Sequence, residues 1–152
     1  MTAPLVVLGW GRACALGADT DSSVAGLRAG SCGLGRPERS AHLQLTDARD
    51  ALVGEIPITP PPEQRLRQVL DMVVDEAMDR AGPGHGRTGV FVGTTGGFFV
   101  DAELQLLRAR ALDPLAWPRL GQRGQGAVAD RVAQRVGARG PVLTYAMACT
   151  SS

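Results

Sequence analysis

Lysine is absent from the sequence, and aromatic residues make up only 4% of it. The 152 residues carry 16 basic and 15 acidic side chains, and every basic one is arginine, so the formal net charge is +1. Proteins that bind nucleic acid through electrostatics need a basic face or stripe. The balanced charge therefore predicts no nucleic-acid partner.

Cysteine and histidine are also scarce. The three cysteines are Cys14, Cys32 and Cys149, and the two histidines are His42 and His85. An odd number of widely spaced cysteines is typical of reduced thiols in a cytosolic protein. No pair has the spacing of a zinc or redox site, so we expect no metal and no cofactor. We interpret Cys14 and Cys32 as small packing residues, and both histidines as surface residues.

Long apolar runs are missing too. The longest, Val90 to Val100, is interrupted by the glycines and threonines of positions 93–97. It is too short and too broken to cross a bilayer, which takes about 20 apolar residues. Met1 to Leu8 lacks the charged and long apolar regions of a signal peptide. We therefore expect a cytoplasmic protein without membrane contact.

Apolar residues nevertheless reach 44%, which is enough for the core of one domain. Strands that alternate with helices predict an α/β fold, a mainly parallel sheet with helices on its faces. The predicted strands are Leu5–Leu8, Gly89–Gly93 and Val142–Ala148, and the predicted helices are a short one after Asp19 or Thr20 that ends at Gly30, Glu63–Ala81, Asp101–Ala111 and Ala127–Val136.

The sequence also predicts which strands and helix faces are buried. Leu5–Leu8 and Gly89–Gly93 read as strands buried on both faces, and residues 31–62 as irregular with a short strand near Val53. In the short helix, Val24 and Leu27 should face inward. The longest helix has one apolar stripe and should stop at Gly82. The members of that stripe are Leu66, Val69, Leu70, Val73, Val74, Ala77 and Ala81.

The last predicted strand, Val142–Ala148, leads directly to Cys149, and three hydroxyl residues at positions 150–152 follow it. Hydroxyl residues begin helices well, and a cysteine at a helix N-terminus gains thiolate character from the helix dipole. Such a strand-to-helix turn suits a nucleophile. A plain buried cysteine could occupy the same position.

The segments 137–141 (GARGP) and 148–151 (ACTS) resemble the pattern before and at the active-site cysteine of the β-ketoacyl synthases, members of the thiolase-like superfamily. The resemblance extends upstream in the right order, through segments 7–11, 15–17, 27–33, 87–94 and 113–118. Two departures are Trp10, which is bulkier than usual, and Met147 in place of a common threonine. They bear on acyl preference more than on the nucleophile.

The resemblance implies a thiolase-like fold of which residues 1–152 are a partial N-terminal domain, truncated after the nucleophile turn. It implies an acyltransferase in which Cys149 takes an acyl group from acyl carrier protein and condenses it with a malonyl thioester, in fatty-acid or polyketide synthesis. The family's two histidines, its lysine and its second oxyanion donor come from the C-terminal half. We therefore expect this chain to be inactive alone and to need that half or a complementary chain, within a homodimer or heterodimer.

Other interpretations remain open. A non-catalytic partner such as a chain-length factor shares the fold but lacks the nucleophile, and a related thiolase-fold acyltransferase would use other downstream groups. Two glycine-rich segments, in contrast, do not fit nucleotide-binding loops. Gly9-Trp10-Gly11 is followed by Cys14 where a dinucleotide-binding loop has its third glycine, so we reject such a loop there. Segment 93–97 lacks the Gly-Lys-Ser/Thr ending of a phosphate-binding loop.

Five arginines concentrate positive charge late in the sequence. They would suit the docking of an acidic carrier protein, or they would form a solvated helix face. They are Arg119, Arg123, Arg131, Arg135 and Arg139.

Overall fold

The structure is a computed structural model that describes residues 5–36, 52–59, 62–83, 86–94 and 126–146. The chain divides into two compact units, Met1–Pro83 and Gly84–Ser152. The helix expected at 101–111 lies outside the described residues. Within the described ranges, no helix is both long enough and apolar enough to cross a membrane.

The first helix of the first unit, α1, spans Thr20–Arg28. Asp19 caps it: its carboxylate accepts a hydrogen bond from the Ser22 N–H at 2.7 Å, and the Ser22 hydroxyl accepts one from the Asp19 N–H. Gly30 follows with φ +64°, the left-handed conformation that ends many helices. The predicted start and end are confirmed. Leu27, however, is exposed rather than turned inward, so that prediction is wrong.

The longer helix, α2, spans Pro62–Ala81. The whole predicted apolar stripe, from Leu66 to Ala81, is half-buried. Gly82 adopts φ +78° and its N–H donates to the Met78 carbonyl at 3.1 Å, which closes the last turn. The helix and its stop are confirmed.

A short glycine segment lies directly against α2. A Cβ atom placed on Gly9 would meet the backbone at Ala77 and Ala81, and one on Gly11 would meet the backbone at Val73 and Ala77. Only residues without a side chain allow two backbones to approach so closely. The Gly-x-Gly pattern therefore serves helix packing, in agreement with the rejection of a dinucleotide-binding loop.

Leu5–Leu8, which precedes this segment, was predicted to be a strand buried on both faces, and both parts of that prediction are wrong. No strand is assigned there, and all four side chains are exposed, Leu5 completely. A strand needs a neighbour to receive its backbone hydrogen bonds, and an apolar run in the sequence cannot show whether one is present.

The first unit also holds a small antiparallel ladder between β1 (Leu34–Gly35) and β2 (Val53–Gly54). Leu34 pairs with Gly54, and Gly35 pairs with Val53. The strand near Val53 was predicted, whereas its partner was not. Leu34 stands between Gly33 and Gly35, a setting typical of loops, whereas Val53 follows two other apolar residues.

The second unit is built on β3 (Val90–Gly93), α3 (Gly126–Val136) and β4 (Val142–Tyr145). β3 and β4 are parallel, with Val90 opposite Val142 and Gly93 opposite Tyr145. α3 contacts both strands and ends before Gly137, which has φ +62°. The predicted helix, the parallel arrangement and the strand starting at Val142 are confirmed, but β4 ends at Tyr145 and does not include Ala146. Met147 and Ala148 lie outside the described residues.

The side chains of this parallel pair differ in burial among the residues that the structure describes. Val90 is buried, as are Val128 and Ala129 of α3. Phe91, which is opposite Leu143, is 62% exposed, and Leu143 is 44% exposed. The prediction that β3 is buried on both faces is therefore wrong, because Phe91 is exposed while its neighbour Val90 is buried.

Candidate functional site

The carboxyl ends of β3 and β4 lie side by side at one edge of the sheet. The predicted nucleophile, Cys149, comes after β4 in the sequence. One step beyond the paired strands, the Thr94 N–H donates to the Tyr145 carbonyl at 2.9 Å. Four residues further along the chain comes Cys149. Cys149 and the three hydroxyl residues after it lie outside the described residues. The structure therefore shows β4, the strand that precedes Cys149 in the sequence, but not the cysteine itself.

The opposite end of the sheet explains the Gly-x-Arg-Gly-Pro segment. The N–H groups of Arg139 and Gly140 both donate to the Thr88 carbonyl, at 3.2 and 2.7 Å, and the Val90 N–H donates to the Pro141 carbonyl at 2.7 Å. A Cβ on Gly140 would lie 2.8 Å from the Thr88 oxygen. Glycine is required there because the backbones approach so closely, and this contact fixes the register in which β4 runs beside β3.

Arg139 has a second contact in the same turn. Its carbonyl accepts a hydrogen bond from the Arg87 Nε at 3.2 Å. The Arg139 side chain itself is exposed. Among the late arginines, this one therefore contributes its backbone to the sheet and leaves its guanidinium at the surface.

Cys14 has surroundings that sequence analysis did not predict. Its half-buried thiol lies 3.3 Å from the hydroxyl of the fully buried Ser23, and an Arg12 guanidinium nitrogen donates to the sulfur at 3.5 Å. The backbone closes around it through two hydrogen bonds with Gly17, at 2.9 and 3.1 Å. Cys14 is thus half-buried, and it is also hydrogen-bonded.

These contacts lower the pKa of Cys14 from 9.0 to about 7. The Ser23 hydroxyl contributes most, followed by the Leu16 backbone N–H; partial burial opposes them, and Arg12 adds a smaller effect. Ser23 has one hydroxyl proton, which it donates to the Gly17 carbonyl at 3.3 Å when the thiol donates to Ser23. In the thiolate form that proton can turn to the sulfur. The arrangement therefore supports an ionised sulfur close to neutral pH.

Glu76 of α2 connects three parts of the first unit. Its carboxylate accepts hydrogen bonds from the backbone N–H of Arg12 at 3.0 Å and from that of Thr20 at 3.0 and 3.2 Å. Arg80, one turn along α2, forms ion pairs with both Glu76 and Asp21 at 3.0 Å.

Trp10 completes this cluster, since the Arg80 guanidinium lies 5.6 Å from the centroid of its ring. The pKa of Glu76 is lowered, chiefly by the Arg12 backbone N–H, with further contributions from Thr20 and Arg80. Glutamates on helix surfaces are so common that this role of Glu76 could not be predicted from the sequence.

The remaining predicted residues are placed as follows. Cys32 is exposed, with its sulfur 3.9 Å from the Leu34 carbonyl, so its interpretation as a packing residue is wrong. His42 and His85 lie outside the described residues. Within the described ranges, no three side chains of histidine, cysteine, aspartate or glutamate gather where a metal ion would bind.

Comparison with known families bears on the second unit and on α2. Residues 61–152 match the family described as Beta-ketoacyl synthase, N-terminal domain. A search of curated proteins finds no match to the chain. The matched segment contains α2, β3, α3, β4 and Cys149, whereas the resemblances upstream of residue 61 lie outside it. Since the match covers more than half of the 152 residues, the chain belongs to the family of β-ketoacyl synthase N-terminal domains, which implies a thiolase-like fold.

Proposed function

We propose that the protein is a 3-oxoacyl-[acyl-carrier-protein] synthase and that this chain contributes its nucleophile, Cys149. The observation that carries the proposal is the family match, which runs through residue 152 and so includes this cysteine and the strand before it. The parallel pairing of β3 and β4 supports it, because ligand sites in α/β sheets lie outside the carboxyl ends of the strands.

The proposed reaction has two stages. The Cys149 thiolate attacks the carbonyl of an acyl thioester on the carrier protein, and the carrier thiol leaves, which produces an acyl–Cys149 thioester. A malonyl thioester then loses carbon dioxide, and the resulting carbanion attacks the acyl carbonyl. The new carbon–carbon bond forms as the carbon–sulfur bond breaks, so the Cys149 thiolate is regenerated and a β-ketoacyl thioester is released.

Both stages pass through a tetrahedral oxyanion, which needs hydrogen-bond donors already in place. In our proposal the Cys149 N–H is one donor, and a complementary half of the fold provides the second donor, two histidines and a lysine. Three features support this division. The sequence has no lysine, neither histidine lies in the family's histidine motif, and none of the residues that the structure describes buries Phe91 or Leu143.

Residues 1–152 are, in this proposal, a partial N-terminal domain that is inactive alone. Acyl carrier protein is the proposed source of both thioesters. The complete enzyme is a homodimer, or a heterodimer if the complementary half belongs to another subunit. The proposed setting is the cytoplasm, in fatty-acid or polyketide synthesis.

The test is acyl transfer followed by mass spectrometry. Residues 1–152, alone and together with the residues encoded downstream, are incubated with an acyl-carrier-protein thioester, and the acylated peptide is identified. We expect rapid acylation at Cys149 only when the downstream residues are present. Cys149→Ala should abolish it, whereas Cys14→Ala and Cys32→Ala serve as matched controls and should retain it.

A second measurement distinguishes the alternatives. Addition of malonyl carrier protein to the acylated complete protein should release carbon dioxide and a β-ketoacyl thioester. Acylation at Cys149 followed by condensation with a non-malonyl acyl thioester, without carbon dioxide, would indicate a thiolase-type acyltransferase. Absence of acylation in the complete protein would indicate a non-catalytic partner subunit. Acylation that survives Cys149→Ala would refute the proposal.

A further inference from the structure

We draw no further inference here: the strongest candidate, the uncovered apolar sheet face with Phe91, Leu143 and Tyr145, carries none because nothing in the described part of the chain shows what covers it.

Discussion

The Glu76 carboxylate accepts a hydrogen bond from the backbone N–H of Thr20, the first residue of α1, which lies 56 positions earlier in the chain. The first N–H groups of a helix have no partner within the helix. Asp19 caps the Ser22 N–H, and Glu76 takes the Thr20 N–H that this local cap leaves open. A side chain of α2 thus completes the capping of α1.

Replacement of Glu76 by glutamine should lower the thermal unfolding midpoint. Glutamine keeps the size of the side chain but carries no charge, so it loses the ion pair with Arg80 and accepts more weakly from Arg12 and Thr20. Asp79→Asn is the matched control, because it removes one negative charge from an exposed position on the same helix. Equal midpoints for the two variants in calorimetry would contradict a specific role for Glu76.

The pH dependence of stability provides a second test of Glu76. The pKa of its carboxyl is lowered in the folded chain, so its contribution is fully present above the pKa of an unfolded glutamate and is lost as the pH falls through the folded value. We expect the urea midpoints of the wild type and Glu76→Gln to differ at pH 7 and to converge in acid. A difference that persists at the lowest pH would show that the charge is not responsible.

Alkylation kinetics will report the ionisation of Cys14. Its pKa of about 7 predicts that the iodoacetamide rate of a variant with Cys14 as the only cysteine reaches half its maximum near neutral pH. Ser23→Ala should move this half-maximum to higher pH, because the serine hydroxyl is the largest cause of the lowered value. Arg12→Gln should move it less.

Ser31→Ala is the control for that series, since Ser31 is exposed and its side chain has no part in the surroundings of Cys14. The free energy of unfolding of each variant is measured in parallel, so that a change in reactivity is not confused with unfolding. An unchanged half-maximum in folded Ser23→Ala would show that the hydroxyl does not stabilise the thiolate.

Gly140→Ala should destabilise the parallel pair. The added methyl group would lie 2.8 Å from the Thr88 carbonyl oxygen and 2.9 Å from the Gly89 nitrogen, so backbone would have to move. Overpacking of this kind costs on the order of 1–3 kcal/mol. Gly126→Ala, at the start of α3, is the control because nothing lies within 4 Å of its added Cβ. Urea unfolding monitored by circular dichroism should separate the two, and equal midpoints would place the Gly140 contact in doubt.

Local sequence signals predicted the helices well and the contacts between elements poorly. The cap at Asp19, the stops at Gly30, Gly82 and Gly137, and the extent of α2 each follow from residues within a few positions of one another. The parallel pair also followed, because a helix lies between two apolar strands along the chain. Its register depends on the fit of Gly140 against Thr88, which no local pattern contains.

The two candidate sites also differ in whether local sequence could predict them. Cys149 could be predicted from the segment around it, since a nucleophile at a strand-to-helix turn has a recognisable local pattern, and it stays a prediction. The surroundings of Cys14 could not, because Ser23 lies nine positions away, and its place beside the sulfur depends on how α1 packs. The prediction of a buried strand at Leu5–Leu8 was wrong for a related reason. An apolar run indicates a tendency to be buried, whereas actual burial depends on a neighbouring element.

Two adjacent residues of β3 test whether the sheet face is uncovered in the isolated chain. Val90 is 6% exposed and lies on a strand that α3 contacts, whereas Phe91 is 62% exposed. Val90→Ala removes two buried methyl-sized groups, worth about 2 kcal/mol together with the cavity that remains. Phe91→Ala removes many more atoms, yet we expect it to cost less than Val90→Ala, because most of that ring is already in water. The free energies of unfolding from urea titration give the comparison directly.

The same pair of variants becomes more informative when the downstream residues are included. If a complementary half covers the face with Phe91, the cost of Phe91→Ala should rise toward the 3–5 kcal/mol typical of a buried phenylalanine, while that of Val90→Ala stays near its value in the short chain. Val90 acts as the internal control, since it is already buried in residues 1–152. A cost for Phe91→Ala that is large in residues 1–152 alone would mean that another part of this chain covers the face. If Phe91→Ala still costs little in the longer chain, the exposure of Phe91 would no longer support a complementary half.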